Sequence, residues 1–439
     1  MSMSAPLTFD ERLRQTRLYE AVLAARSVSR PRAGAKQPLP LDSEGIRRLS
    51  RLLRREIAQG SYQFEACTPY EATLDGKRRV LYRFSPTDRV VHGAVARALS
   101  QVLEPLWPKT LYSYRTGWSQ QRAIAAFAAY VRAHRRGGPT TTRGLYVLRR
   151  DVRGYGDSIP VADESPLWDM LHRALRRAGS TEPSSAAMDL LRRMIRPLVQ
   201  AGDETPRQLA RGVPTGSPIQ PLICNLYLME LDELLGQVDG GFYARFGDDM
   251  LFAHPDAAIA QHAAHTLAAG CSNLGLEINH DKQQDLFFNG AGRPSTTWST
   301  ARGTPTVEYL GLRIDFRGRV GLKQTKARQL LVDIGARIQH SARLIRTACS
   351  NANGDGRVLC AIVNAALDPR CALAHPVASD LLGAVDDRSQ LRQLDYQFAR
   401  QIAEALSGRR GPRCFRHVPY RTLRRDWGLI SLEHRRNQA

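Results

Sequence analysis

Hydrophobic and polar positions recur along this chain at two spacings, and the change from one to the other marks out its elements. In SEGIRRLSRLLRREIAQG, Ile46, Leu49, Leu53 and Ile57 fall on one helical face, with Arg47, Arg48, Arg51, Arg54 and Arg55 around the rest. The spacing predicts a basic amphipathic helix, set off by the Pro-rich run 31–42 before it. Residues 76–99, GKRRVLYRFSPTDRVVHGAVARAL, pass from a strand-like piece into a helix whose N-cap is expected at Thr87 or Asp88. LYVL, from Leu145, is wholly apolar and reads as a buried central strand ending at Asp151. Phe242, Ala244 and Phe246 alternate at period two ahead of a Gly-Asp-Asp, and MLF follows, so a β-hairpin with Asp248 and Asp249 at its tip is expected. Carboxylates at a strand end and at a hairpin tip can meet in space.

Downstream, 307–323 reads as strand, turn, strand, and then Ala327, Leu330, Leu331, Ile334, Ile338 and Ile345 form an apolar stripe that makes the C-terminal third helical. The last stretch, 408–437, interleaves arginines with Phe415, Tyr420 and Trp427, a composition that suits phosphate contacts and base stacking or, equally, a docking core.

Charge narrows the partners. The 439 residues carry 63 Lys+Arg against 42 Asp+Glu, a net charge of +21, and their 43% apolar content is ample for a core. Such an excess repels itself unless a polyanion balances it, which makes nucleic acid the leading partner. The seven cysteines show no CxxC pair, against a zinc site or a disulfide framework and in keeping with a reducing cytoplasm. No stretch reaches the ~20 apolar residues of a membrane span, so a soluble cytoplasmic protein with no membrane partner is expected.

An FGDD tetrapeptide alone is commonly just a turn. Here it follows Asp151, Gly154-Tyr155 and Asp157, then RGVPTGSPIQPLICNLYLMELDELL (211–235), and it precedes LGLEINHDK (274–282) and EYLGLRID (308–315). In that order the blocks resemble reverse transcriptases, most closely the bacterial enzymes related to group II intron proteins and the unknown-group, defence-associated kind. The resemblance runs from about residue 40 to 320.

It implies an α/β (α+β) right-hand polymerase: fingers and palm over 43–323 with an antiparallel sheet, a helical thumb over 324–407, an N-terminal extension and linker over 1–42 and a basic tail over 408–439. The activity implied is RNA-directed DNA synthesis, a primer 3′-hydroxyl attacking the α-phosphate with two Mg²⁺ ions, Mn²⁺ being a substitute. Asp151, Asp248 and Asp249 match the metal-binding and catalytic aspartates, and Lys282 a lysine that gives a proton to leaving pyrophosphate. Lys77, Arg78, Arg79 and Arg115 match the basic fingers contacts to the triphosphate; Thr215 and Gly216 lie in the turn that supports the nascent pair. Ser217 matches that turn too, and by itself reads as a helix N-cap; Leu310-Gly311 resembles the primer grip.

Two positions depart from the family. Gly156 stands where a bulky ring excludes the ribose 2′-hydroxyl, and Thr215 where a glutamine is usual, so the sugar pocket is expected to be wide, unless Tyr155 is itself the gate. The partners implied are an RNA template, in the defence-associated kind a dedicated structured noncoding RNA, with dNTPs and a DNA product; a homo-oligomer or partner protein is left open. With no Cys/His cluster and little chain after the thumb, a standalone antiphage enzyme is expected over an intron endonuclease. The alternatives are a maturase-like RNA-binding protein and template-independent or protein-primed synthesis, for which Tyr62, Tyr70 and Tyr420 are candidate primers.

Overall fold

A computed structural model describes residues 7–15, 17–26, 42–74, 77–136, 144–179, 181–348 and 352–435. The chain divides into two compact units. Of the described residues, one holds those up to Ser119 with those of 148–254 and 258–284, and the other holds those of 120–147, 255–257 and from Asp285 onward. The second unit therefore joins a segment upstream of Asp151 to the C-terminal helices, a grouping that no linear reading of the periodicity shows.

In the first unit the basic helix forms over Ser43–Gln59, capped by Asp42, whose side chain accepts from the Gly45 amide, and closed by Gly60 at φ 67°. It buries Ile46, Ser50, Leu53 and Ile57; Leu49 is only half-buried, and the Ser50 hydroxyl is tied to the Ile46 carbonyl at 2.7 Å. The strands Thr68–Leu74 and Lys77–Arg83 pair as an antiparallel hairpin, Leu74 opposite Lys77. The helix after it, Pro86–Leu103, starts earlier than expected. Ser85 is the N-cap, accepting from the Asp88 amide at 3.1 Å with Pro86 in the first turn. Asp88 is instead buried, accepting from the Tyr62 hydroxyl at 2.8 Å and the Glu65 amide at 3.2 Å.

The strand Leu145–Asp151 carries the burial its apolar run predicts, and in this unit its C-terminal half lies beside the hairpin formed by Phe242–Phe246 and Asp249–His254. Phe246 pairs with Asp249, which leaves Gly247 (φ 66°) and Asp248 as a two-residue turn. The period-two reading of this hairpin requires correction: Phe242 and Phe246 are half-buried, whereas Tyr243 and Arg245 are buried. Arg245 has no exposed surface because Asp232 meets it with two oxygens at 2.6–3.0 Å, while Cys224, Asn225 and Gly247 supply carbonyls. A charge at an inward strand position is tolerated when its counter-ion and acceptors are buried with it.

In the second unit, Leu286, Phe287 and Phe288 pair in parallel with Arg302–Thr304, and a three-stranded antiparallel sheet is built from Thr306–Tyr309, Leu312–Asp315 and Val320–Leu322. The turn between its first two strands sets Leu310 at φ 47° and Gly311 at φ 79°. The helix Gln324–Ala348 buries Leu330, Ile334, Ile338 and Ala342, close to the expected stripe. The basic last stretch is a docking core: Cys414, Val418, Leu423, Leu429 and Leu432 are buried, and Asp395 on the helix Arg388–Ser407 accepts from Ser431 and the Leu432 amide. Among the described residues all cysteines are free and no helix is long and apolar enough to cross a membrane.

Candidate active site

The site lies within the first unit, where the strand of Asp151 ends beside the turn of Asp248. A cavity of about 400 Å³ opens there, lined by both aspartates and by Arg78, Arg79 and Lys282. The edge of Asp151 is fixed by backbone. The Asn279 amide donates to the Asp151 carbonyl at 2.7 Å, the Arg153 amide to the Glu277 carbonyl at 2.8 Å, and the Val152 amide to the Asp248 carbonyl at 3.3 Å. Those bonds use the first peptides after the strand, so the Asp151 carboxylate is held where the sheet ends, as a site for hard cations needs.

The electrostatics are those of a cation site. The Lys282 ammonium reaches both Asp151 oxygens at 2.6 and 2.7 Å. Burial and then the charge of Asp151 hold the Asp248 carboxyl above the usual carboxylate range. Two neighbouring carboxylates, one already bound to an ammonium, suit a divalent ion with oxygen ligands. Asp151 and Asp248 are the residues that would hold it.

The third expected metal ligand is not on this wall. Asp249 opens its strand, and its carboxylate takes a two-pronged bond from Arg149, Nε at 2.9 Å and Nη2 at 2.6 Å. Arg149 and Asp151, two apart, share a face of their strand, so Asp249 is engaged one pleat back from the cavity. Among the described residues no group of three or more His, Cys, Asp or Glu gathers as a metal cluster.

Other expected positions divide in the same way. Arg78 and Arg79 reach the cavity from the hairpin, Arg78 also paired with Glu71, whereas the side chain of Lys77 lies outside the described residues. Arg115 does not line the cavity. Its guanidinium is spent on Glu104 at 3.1 Å and the Pro108 and Leu111 carbonyls at 2.8 and 3.0 Å, and it stacks over Trp118. Gly216 works beside the cavity: at φ 113°, a Cβ there would come 2.9 Å from the Tyr82 carbonyl oxygen, so only glycine lets this turn reach the hairpin. Thr215, whose carbonyl accepts from the Tyr82 amide at 2.9 Å, does line the cavity. Ser217 is no N-cap; buried, it shares a 2.7 Å hydrogen bond with His92 Nδ1.

The sugar pocket is not simply enlarged at Gly156. A Cβ there would meet Gln220 Nε2 at 2.5 Å, so a side chain from the helix Gln220–Tyr227 already fills that space. Tyr155 also touches the cavity, but its hydroxyl donates to the Cys224 carbonyl at 2.5 Å and only 6% of its surface is exposed. Of the candidate primer tyrosines, Tyr62 is bound to Asp88, Tyr70 lies under Arg83 and Tyr420 is bound to Arg424.

Sequence reasoning missed Tyr114, Gln220 and Asn279. Tyr114 lines the cavity with its backbone at φ 54°, where a bulky residue is strained, and strain of this kind gathers at functional sites. Its signal was there in the run SYRTGW, whose arginine drew the eye instead of its tyrosine.

Protein YkfC of Escherichia coli K12 is 29% identical over 189 residues, 42% of this chain and 44% of that one, so the match spans under half of that relative's length. Among solved structures, a Candida albicans telomerase in complex with a TWJ fragment of telomeric RNA is similar at 12% identity and a TM-score of 0.49, covering 83% of this chain and 67% of that chain. An apo telomerase from Candida tropicalis, truncated from its C-terminal domain, is similar at 13% identity and a TM-score of 0.45, covering 64% of this chain and 61% of that one. Residues 74–314, more than half of the chain, match the family described as reverse transcriptase (RNA-dependent DNA polymerase), and the chain belongs to that family.

Proposed function

We propose that this protein is an RNA-directed DNA polymerase that extends a primer 3′-hydroxyl with deoxynucleotides. The observation that carries the reading is the meeting of Asp151 and Asp248 in one cavity with Arg78, Arg79 and Lys282. Divalent ions, Mg²⁺ in this proposal, would supply activation of the 3′-hydroxyl and neutralisation of the triphosphate. Asp151 and Asp248 fix where the α-phosphate is attacked. Arg78 and Arg79 hold the β- and γ-phosphates from the hairpin, and Arg78 exchanges Glu71 for that anion. Lys282, freed from Asp151 when the phosphates arrive, stands at the cavity wall with a proton for the departing pyrophosphate.

The proposed template is RNA, with a dedicated noncoding RNA in antiphage defence as its setting; the sequence resemblance supports that setting. The test is extension of a labelled DNA primer on matched RNA and DNA templates with dNTPs and Mg²⁺. DNA synthesis on RNA that is lost with EDTA is the expected result. A protein that binds RNA with no extension on either template is the maturase-like alternative, and sequencing RNA that copurifies identifies a dedicated template.

A further inference from the structure

The cavity wall sorts by chemistry. Arg78, Arg79 and Lys282 suit phosphates, Asp151 and Asp248 suit cations, and Tyr114 and Pro221 offer surfaces for a base. Thr215 and Gln220 add neutral polar groups beside Gly156, with the Asp157 carboxylate, which accepts from Thr215, also on the wall. A sugar, neutral and small, belongs against such a surface.

Gln220 is held there firmly. Its Nε2 donates to the Val213 carbonyl at 2.9 Å and to Thr215 Oγ1 at 3.0 Å, using both amide hydrogens, and Thr215 Oγ1 lies 3.5 Å from Asp157 Oδ1. The glycine opposite is what leaves room, since even a methyl at 156 would overlap the amide. An amide pinned at its end cannot swing aside as a free glutamine would, so it acts as a fixed wall.

We propose that Gln220, anchored by Thr215, is the residue that excludes the ribose 2′-hydroxyl, the pinned amide standing beside Gly156 in place of a ring carried by position 156 itself. This rests on the polymerase reading. Truncating Gln220 opens the volume beside Gly156 and lets the extra hydroxyl in. Thr215 acts through Gln220 and is a positioning residue.

The test uses the full chain on an RNA template paired to a DNA primer with a 3′-deoxy end, so that nucleotide binding is read without turnover. Kd is measured for dGTP and for GTP. Wild type is expected to favour dGTP, and Gln220→Ala to shift the ratio toward GTP by about tenfold, the scale on which one small group is sorted by a pocket. Gln220→Asn, which keeps the helix start polar, shifts it the same way and guards against misfolding of the alanine variant. Thr215→Val shifts it less, and adds nothing in the Gln220→Ala background. A ratio unchanged within about twofold in both Gln220 variants, or moved toward dGTP, overturns the inference while leaving the polymerase reading intact. Failure of wild type to bind either nucleotide overturns both.

Discussion

Asp248 and Asp249 are neighbours in sequence, and the structure gives them different work. Asp248 occupies a hairpin turn at the cavity, while Asp249 begins a strand and serves Arg149. We propose a stability role for Asp249. Asp249→Ala leaves the Arg149 guanidinium short of its anion in a largely buried place and is expected to cost about 2 kcal/mol, the scale of a charged hydrogen bond. Urea denaturation checks this, and an unchanged midpoint contradicts it. The doublet itself was legible in the sequence, as was the placing of Asp248 near Asp151, because turn chemistry and strand ends are local. Which carboxylate faces the cavity was not, since it depends on Arg149, a residue a hundred positions away with no pattern to pair it. Arg115 was misread for the same reason: its partners Glu104, Pro108 and Leu111 lie in an irregular stretch whose folding back the periodicity does not encode.

Among the elements, the Asp-bearing hairpin depends on a buried ion pair behind it. Arg245 and Asp232 are both fully buried, and burial and pairing oppose each other at each: burial raises the carboxyl while Arg245 lowers it. Asp232→Ala leaves a buried guanidinium unpaired and is expected to cost roughly 3–5 kcal/mol, the range for breaking such a pair. A calorimetric scan showing little loss would contradict this. The helix Pro86–Leu103 carries a second buried polar group with a different consequence. His92 packs between Phe64 and Phe84, its Nε2 has no hydrogen-bond partner, and burial pushes the imidazole from 6.5 down to about 3. The unfolded chain therefore takes up this proton first as the medium is acidified, so stability is lost as pH falls from 6.5 toward 3. His92→Gln is expected to show a flatter urea midpoint across that window than wild type. Parallel slopes for the two proteins would count against the burial. Helices and strands of this kind were readable from spacing, while the start of this helix was not, because Ser85 and Asp88 compete as caps and the burial of Asp88 by Tyr62 decides between them.

At the scale of the whole molecule, we propose that the charge of +21 serves nucleic-acid binding. Many arginines already have partners within the fold: Arg424 donates to Tyr420 and the Leu429 carbonyl, and Arg392 meets Glu433. Arg409, Arg410, Arg413 and Arg416 remain exposed on the last segment. Binding of a single-stranded RNA is expected to weaken steeply with salt. Reversing the charge at these four positions is expected to flatten the log–log slope by about 3, from roughly 0.7 per phosphate contact. An unchanged slope would place the contacts elsewhere. The ordered blocks from Asp151 to Lys282 were the most legible feature of the chain, since each supplies residues to one cavity. The gathering of 120–147 with the C-terminal helices was illegible, because long-range packing leaves no local period.

We propose that Asp151 and Asp248 form the reacting pair and that Asp249 supports the sheet. Single-turnover extension of a DNA primer on an RNA template, measured with Asp151→Asn, Asp248→Asn and Asp249→Asn after each is shown to fold, tests it most directly. Extension is expected to be abolished in the first two and retained, at reduced rate, in the third. Retention of near wild-type extension by Asp248→Asn would contradict it.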